Sequence, residues 1–475
     1  MLNGGRLRSS LLALSLGGLL LSLLRCGSGT SGGQQASGAG ATGVAGAAGT
    51  GVAGGSAGST VAAAGSSGAV SGGASGATSS AGGVSGAVGA SGSVGTSGAG
   101  GASGAGGAGG AGGSASGTGG GAGAAPMSLN NYDGPVFYVT SNDGSFYAYQ
   151  ETTWKQLDMW KGLPIKDAAR GIDADSVKGI VYISHGGAGP ASVGSATLTG
   201  SLLAWSLYQN KVVYDTKFNH GVDQIAVGSN VIYVPSGEYT NDRNWYYVND
   251  IDGSPAGTEP GGMNPHDTIF RNGHRYYGGT QDTYLYVLGT NVPKVGPSPS
   301  GTAGVRPYTI NGAETRAFIT WSNFRGFSVG DLTTGKILKT VNFGDNFCGL
   351  AAPSHGMTLS PDNSEVYVLD TCMNQLRVYD GSDNPMLKAT IDLEHKIHPG
   401  TENPCVWDCD KDGWITHSRD GKYVYVGDSG DVIDTTTHKP TTYLDKLANC
   451  RHGFIEIDWT KGVITGTPTH VGMGY

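Results

Sequence analysis

Residues 27–125 contain no charged and no aromatic side chain. The stretch is made of Gly, Ala, Ser, Thr and Val with two Gln residues, and just over half of the 85 glycines of the 475-residue chain lie before residue 126. Such a composition cannot bury enough apolar surface to offset the entropy that ordering would cost. We therefore expect residues 26–125 to form a disordered linker in front of one folded domain at 126–475.

The chain also lacks any run of Lys or Arg. Its net charge is −8 at pH 7, and all of its acidic residues lie within 126–475. Nucleic acids and anionic membranes are bound by clustered cations. The composition therefore argues against nucleic acid as a partner, and it leaves a lipid anchor as the expected link to a membrane.

The first 26 residues have the organisation of an export signal. Arg6 and Arg8 precede the apolar run LLALSLGGLLLSLL at 11–24, which is too short to span a bilayer comfortably. The stretch LSLLRCGSG resembles a bacterial lipoprotein signal, in which the cysteine, here Cys26, is lipidated after cleavage. Arg25 departs from that pattern, where a small residue is usual, so an ordinary secretory signal at 1–25 stays an alternative. Both alternatives place the mature protein in the cell envelope or outside the cell.

No convincing helical periodicity occurs after residue 126. Apolar runs of period two, separated by turn residues, recur about every 40–50 residues, with four strand-like pieces in each unit. The clearest run of each unit is VFYVT (136–140), GIVYIS (179–184), NVIYVP (230–235), HRYYGG (274–279), RAFITW (316–321), EVYVLD (365–370) and YVYVGD (423–428).

Seven units of four short strands predict an all-β, seven-bladed β-propeller rather than a solenoid. The first unit begins directly at residues 136–140, without the strand that precedes this run in the other units. The end of the chain supplies an unmatched strand, HGFIEIDW, at 452–459. We expect this strand to complete the first blade, because pairing the two ends removes two open sheet edges.

Two stretches near the C-terminus carry a family resemblance. SPDNSEVYVLDTCMNQLRVYD and SRDGKYVYVGDSGDVIDTTTHK resemble repeats of the bacterial YVTN-type β-propeller family, as does GIDADSVKGIVYIS in the second unit. The likeness is loose in the third to fifth units. It implies a propeller fold and export, since most members are exported. Members of that class include surface-binding proteins, and similar propellers include lactonases and haem- or quinone-dependent oxidoreductases, so the resemblance does not choose a chemistry.

The residues just before the innermost strand of each unit are candidates for a binding site. In a propeller these positions meet at the top of the central channel, and here most of them are ionisable: Arg170, Asp223, His266, Arg306, His355 and His452, with Gly413 at the seventh position. Strand alternation also suggests that His417 points into the channel further down.

Three interpretations of these positions stay open. A water-filled channel tolerates polar side chains at its mouth without any ligand. The Arg and His residues could instead converge on an anionic ligand, with Asp223 for orientation. Three histidines and an aspartate could also hold a transition metal.

Five cysteines follow the linker, in connections that we place on the same face. Disulfides in such connections are typical of exported proteins, and with Cys26 lipidated at least one thiol would stay unpaired. We favour a Cys348–Cys372 bond and, next, a bond from Cys450 to Cys405 or Cys409. The sequence has no Cys-x-x-Cys-His, which argues against covalently attached c-type haem.

The stretch DCDKDG at 408–413 is a candidate calcium loop. Asp408, Asp410 and Asp412 alternate and precede a glycine, as in a loop that supplies oxygen ligands to calcium. The twelfth position, where such a loop has Glu, is Arg419. The alternative is a solvated acidic turn.

Three other motifs have plain structural explanations. The nearby His395 and His398 are more often exposed than metal-bound in such a loop. GDSGD at 427–431 is similar to a serine-protease motif, yet it falls in a turn of the repeat. The aromatic residues at 245–247 are expected to pack within a sheet.

Two function classes are consistent with these residues. The first is an exported scaffold that binds a protein or a small anionic ligand through the top of the ring. The alternative is a lactonase-like hydrolase or lyase that uses the histidines and arginines at the channel mouth. Nothing in the sequence requires a redox cofactor, and calcium is the one cofactor for which it offers ligands.

Overall fold

The computed structural model divides the chain into two units, Met1–Ala111 and Gly112–Tyr475. All described residues belong to the second unit. They are residues 129, 131–141, 144–165, 169–186, 199–237, 242–302, 304–345, 348–398, 413–450, 452–466 and 469–470. The predicted signal (1–25) and linker (26–125) therefore lie outside the described residues.

Within this part of the chain the strands form seven antiparallel sheets, which we call blades 1 to 7. Blades 2 to 4 each contain four consecutive strands. Blade 2 has β4 (Ala169–Asp175), β5 (Ile180–His185), β6 (Ser201–Ser206) and β7 (Lys211–Lys217); blade 3 has β8 (Ala226–Val227), β9 (Val231–Pro235), β10 (Asn244–Asn249) and β11 (Pro255–Pro260); blade 4 has β12 (Pro265–Arg271), β13 (His274–Gly279), β14 (Leu285–Leu288) and β15 (Lys294–Val295).

Blades 5 to 7 repeat the same order of four strands. Blade 5 has β16 (Val305–Ile310), β17 (Arg316–Trp321), β18 (Phe324–Asp331) and β19 (Ile337–Asn342); blade 6 has β20 (Met357–Leu359), β21 (Glu365–Asp370), β22 (Gln375–Asp380) and β23 (Leu387–Asp392); blade 7 has β24 (Ile415–His417), β25 (Tyr423–Val426), β26 (Asp431–Asp434) and β27 (Lys439–Tyr443). Short 3₁₀ turns at Thr371–Met373 and Leu447–Asn449 are the helical elements of the described residues, and none of these is long enough to cross a membrane.

Blade 1 is built from both ends of the folded region. It contains β1 (Gly134–Thr140), β2 (Phe146–Gln150) and β3 (Gln156–Trp160), and β28 (Phe454–Thr460) pairs antiparallel with β1. Two short strands, β29 (Val463–Ile464) and β30 (Thr469–His470), pair with β28 on its other side. The predicted closure is thus confirmed.

The blades form a ring rather than a row. The inner strands lie side by side in the order β28, β4, β8, β12, β16, β20 and β24. The last blade also packs on the first, where Phe137 stacks on Tyr425 at 4.0 Å between ring centroids and lies 6.0 Å from Phe454. The seven-bladed propeller predicted from the repeat is therefore the fold of this chain.

The repeated Ser-x-Asp segments of blades 6 and 7 form the same turn. Ser360 Oγ donates to Asp362 at 2.6 Å, and Ser418 Oγ donates to Asp420 at 2.9 Å. In both turns the aspartate accepts the backbone N–H two residues further on at 3.0 Å, and the serine oxygen accepts an N–H from the start of the next strand at 2.9 Å. The motif recurs because its side chains satisfy backbone groups that a tight turn leaves without strand partners.

The closing strand should dominate stability. Phe454 is fully buried in the cluster that joins blades 7 and 1, so we expect Phe454→Ala to lower the free energy of unfolding by about 3–5 kcal/mol. Val463, in the same terminal segment, is 55% exposed, and Val463→Ala should change it by less than about 0.5 kcal/mol. Urea unfolding of both variants tests this, and equal effects would contradict a dominant contribution of the closing strand to stability.

Candidate functional site at the top of the channel

The inner strands all begin at one end of the ring, which we call the top face. At this end three histidines from three blades converge. The ring centroids of His266 and His355 are 5.5 Å apart, and those of His355 and His452 are 5.8 Å apart. Each of the three residues is at most 2% exposed. The structure therefore brings together residues that are far apart in the sequence.

Trp414 completes this group, and sequence reasoning missed it. Its ring stacks on His452 at 4.0 Å and lies 5.6 Å from His355 and 5.7 Å from His266. The aligned position in blade 7 is Gly413, and Trp414 is the next residue along the chain. The sequence does contain a signal for Trp414, because it directly follows Gly413, the one aligned position without a polar side chain. We call His266, His355, Trp414 and His452 the histidine–tryptophan cluster.

Backbone carbonyls orient two of these rings. His355 Nδ1 lies 3.1 Å from the carbonyl oxygen of Gly413, and His452 Nδ1 lies 2.9 Å from that of Arg170. A carbonyl oxygen can only accept, so Nδ1 carries the proton in both rings. In the neutral form Nε2 is then the basic atom of each ring.

Arg170 and Asp223 pair with each other across blades 2 and 3. Arg170 Nη2 donates to Asp223 Oδ2 at 3.2 Å, and both residues are buried. Burial and the neighbouring charge of Asp223 raise the pKa of Asp267 well above its usual range. This shift favours the protonated form of Asp267, and Asp223 is the carboxylate to which Arg170 donates.

Arg306 bridges blades 5 and 4. Its Nε donates to Ser322 Oγ at 2.8 Å, and that hydroxyl lies 3.2 Å from the carbonyl oxygen of Thr280. Of the six candidate residues, Arg170 and Asp223 thus form an ion pair, and the three histidine rings contact one another. Arg306 is instead bonded to Ser322.

The expectation for His417 is wrong. Its ring lies edge-on to Tyr367 at 4.9 Å, and its Nδ1 is 3.1 Å from Thr358 Oγ1, so the side chain faces blade 6 and not the channel. The reason is register: Ile415, two residues earlier, packs in the core between blades 6 and 7, and alternation carries His417 to the same side. Burial lowers the pKa of His417 to about 3, so this imidazole is neutral.

The cysteine predictions have mixed outcomes. Cys348 and Cys372 are joined by a disulfide, which links the connection before β20 to the turn after β21. Cys450 is instead a free, buried thiol whose sulfur lies 3.7 Å from Thr140 Oγ1, and burial raises its pKa to about 12. The predicted bond from Cys450 to Cys405 or Cys409 is therefore absent. Cys450 packs inside the cluster between blades 7 and 1 instead. Cys26, Cys405 and Cys409 lie outside the described residues.

No metal centre is present in the described part of the chain. No three His, Cys, Asp or Glu side chains there are arranged to hold an ion, the three clustered histidines included. The candidate calcium ligands Asp408, Asp410 and Asp412 lie outside the described residues, so calcium there stays a prediction.

The GDSGD turn is held by the segment before the candidate calcium loop. His395 Nδ1 lies 2.6 Å from Asp431 Oδ1, and Ser429 Oγ lies 2.9 Å from Asp431 Oδ2 and 2.7 Å from the carbonyl oxygen of His395. The serine hydroxyl therefore bonds to the carboxylate and the backbone, which ties two connections of the top face together.

Two buried carboxyl groups meet at the seam between blades 7 and 1. The Tyr425 hydroxyl lies 2.9 Å from Glu151 Oε1 and 2.9 Å from Glu456 Oε2, and the backbone N–H of Arg419 donates to Glu456. Burial raises the pKa of Glu151 to about 6. Burial and the charge of Glu151 raise the pKa of Glu456 well above its usual range. One phenolic proton cannot satisfy two carboxylates, so the pair favours holding a proton.

Comparisons with known proteins do not identify a family. A scan of this chain against models of protein families finds no match, and a search of curated proteins also finds none.

Solved structures with a similar course of the chain are distant in sequence. The structure of a functionally unknown protein from Desulfotomaculum acetoxidans has 13% identity and a TM-score of 0.49, and the match covers 67% of this chain and 98% of that one. The WD40 repeats of RRP9 have 11% identity and a TM-score of 0.46, covering 71% and 91%. The dihydro-heme d1 dehydrogenase NirN has 12% identity and a TM-score of 0.44, covering 73% and 74%. The fold assignment rests on the strand order and pairing described above.

The carboxyl pair at the seam should make stability fall as pH rises. Because the pKa of folded Glu151 is raised above that of the unfolded chain, its stabilising effect is present at low pH and is lost as pH rises through about 6. A rise from 4.5 to about 6 corresponds to about 2 kcal/mol. Glu456→Gln keeps an acceptor for the Arg419 N–H and offers a donor to Glu151, so it should flatten the decline in urea midpoint between pH 5 and pH 8.

The matched control is Glu394→Gln, which removes an exposed carboxylate. Its pH profile should follow that of the wild type. If Glu456→Gln also follows the wild type, the proposed proton sharing is wrong.

Proposed function

We propose that this chain is an exported β-propeller that binds a protein partner through its top face. The observation that carries the proposal is the burial of the polar side chains at the channel mouth. The rings of the histidine–tryptophan cluster are buried against one another, and Arg170 is paired with Asp223. A partner would therefore meet the connections around the mouth rather than a reactive group within it.

The connections of the two faces support this choice. On the top face, long intervals separate successive strands: β5 ends at 185 and β6 begins at 201, β19 ends at 342 and β20 begins at 357, and β23 ends at 392 and β24 begins at 415. On the opposite face, turns such as 272–273 and 360–364 are short. Long connections on a rigid scaffold are where propellers and other β folds carry recognition.

Export and anchoring are the second part of the proposal. The Cys348–Cys372 disulfide suits an oxidising compartment, and it holds one of the long top connections. A lipid on Cys26 followed by a Gly-rich coil of about 100 residues would hold the domain at an r.m.s. distance of roughly 50–60 Å from a membrane. That distance leaves room for a partner at the top face.

The alternative function is a lactonase-like hydrolase or lyase, with His266, His355 or His452 as base. The ring distances below 6 Å favour it. Hydrolysis of a panel of γ- and δ-lactones would support it if activity disappears in His355→Ala and persists in His438→Ala, which changes a histidine paired with Glu365 between blades 6 and 7.

Site-specific photo-crosslinking tests the binding face. Met373 follows the disulfide on the top face and is 43% exposed, whereas Val177 lies in the turn between β4 and β5 on the opposite face and is 92% exposed. With p-benzoylphenylalanine at residue 373 in the producing cells, we expect one discrete crosslinked protein, identified by mass spectrometry.

The same amino acid at residue 177 is the control, and its crosslinking should be at least fivefold weaker. Equal crosslinking from both faces, or crosslinking from residue 177 alone, would refute binding through the top face.

Metabolic labelling tests the anchor. Cells grown with radiolabelled palmitate should label the wild-type chain and Cys450→Ala, whereas Cys26→Ser should carry no label and leave the membrane fraction. An unlabelled wild-type chain would leave the ordinary secretory signal as the correct interpretation.

A further inference from the structure

A cleft of about 450 Å³ lies between the outer strands of blades 2 and 3. One wall is the end of β7 and the residues after it, and the other is formed by β10 and β11. The side chains that matter below are Lys217, Phe218, His220, Tyr246, Tyr247 and Thr258. Volumes of about 300–1,000 Å³ are typical of sites for small molecules. Its residues differ from those of the top-face cluster.

Aromatic rings from both walls meet in this cleft, which we call the rim cleft. His220 stacks on Tyr246 at 3.9 Å with 17° between the ring planes, and Phe218 lies 4.8 Å from His220 and 6.2 Å from Tyr246. Although sequence reasoning expected this segment to pack, the structure buries Trp245 fully and leaves its two tyrosine neighbours at the cleft.

The outermost strand of blade 3, β11, which pairs with β10, leaves the space open because its residues are small. β11 reads PAGTEP, whereas the corresponding strands of blades 5 and 6 read ILKTVN and LKATID. Gly257 lies opposite Tyr247 in this pairing, and a Cβ atom there would come within 3.3 Å of the Tyr247 ring. A gap bounded by aromatic rings and by small residues suits a planar group.

Lys217 gives the rim cleft a charge. Its Nζ donates to Asp215 at 2.5 Å and to Ser201 Oγ at 3.1 Å, and the side chain is 58% exposed. An ammonium group has three donors, so these two bonds leave one for a ligand. The described lining residues include no carboxylate, but Asp215, Asp242 and Glu259 each accept a hydrogen bond from a lining side chain. The third donor of Lys217 favours a ligand with an anionic acceptor.

His220 supplies an acceptor at the aromatic wall. Its Nδ1 lies 2.6 Å from the carbonyl oxygen of Gly221, so Nδ1 carries the proton and Nε2 is an acceptor. Nε2 is buried and has no hydrogen-bond partner among the described residues. A buried acceptor of this kind favours a ligand that brings an N–H or O–H group.

We propose that the rim cleft binds a planar aromatic acid, with its ring against Phe218, His220 and Tyr246 and its anionic group at Lys217. This ligand class follows from the aromatic rings of the two walls, the small residues of β11 and the ammonium group of Lys217. It is independent of the partner proposed for the top face.

The probe is 1-anilinonaphthalene-8-sulfonate, which has fused rings, an N–H and a sulfonate, titrated into the purified full-length chain and followed by fluorescence. Thr258→Trp places a large ring in the cleft from an exposed strand and should weaken binding at least tenfold. Ala256→Trp adds the same ring to the same exposed strand outside the lining, and it should bind like the wild type.

A second pair of measurements tests whether the cleft selects an acidic ligand. Lys217→Met keeps the apolar stem and should weaken binding of the sulfonate at least fivefold. It should leave binding of the uncharged analogue N-phenyl-1-naphthylamine within twofold. Circular dichroism and the thermal midpoint of each variant verify that the fold is intact.

Two outcomes would overturn the proposal. Wild-type affinity in Thr258→Trp would show that the probe binds elsewhere. Equal binding of both probes to the wild type, with no effect of Lys217→Met, would show that the cleft does not select an acid.

Discussion

The antiparallel pairing of β28 with β1 is the constraint on which the rest of the structure depends. It extends from Gly134 opposite Trp459 to Val139 opposite Phe454. Without it, blade 1 would lack its inner strand, and the first and last blades would expose edges that invite pairing with other chains. With it, every inner strand begins at the same end, and positions separated by tens to hundreds of residues meet around one channel.

That convergence places several polar side chains close together at the top face. Polar side chains crowded at a channel mouth lose water, and a buried polar group is unfavourable unless it finds a partner. Here the protein supplies partners for several of these groups, through the backbone carbonyls of Gly413 and Arg170 and through the pairing of Arg170 with Asp223. The top of the channel in this chain is therefore a buried, polar cluster.

The fold could be predicted because its signals are local and repeated. Period-two runs recur often enough to give the blade count, and the strand missing from one end matches the extra strand at the other. Side-chain direction could not be obtained that way. His417 faces blade 6 because of its register with Ile415, and Cys450 packs against Thr140 from the opposite end of the domain. Trp414 was missed because the alignment of inner positions stopped one residue earlier, at a glycine.

A binding site that the fold does not require can form where a blade departs from the repeat. In blades 6 and 7 the chain follows its motif closely, and those residues are committed to turns and to the cores between blades. Blade 3 follows it loosely, and its last strand combines Gly257 with two prolines in place of large side chains. Since the cores between neighbouring blades are filled by large residues, a strand of small ones leaves an unfilled volume that the fold itself does not require. Removing bulk from a peripheral strand leaves the closure between β28 and β1 untouched, so a repeat architecture can gain a binding site there without weakening the ring.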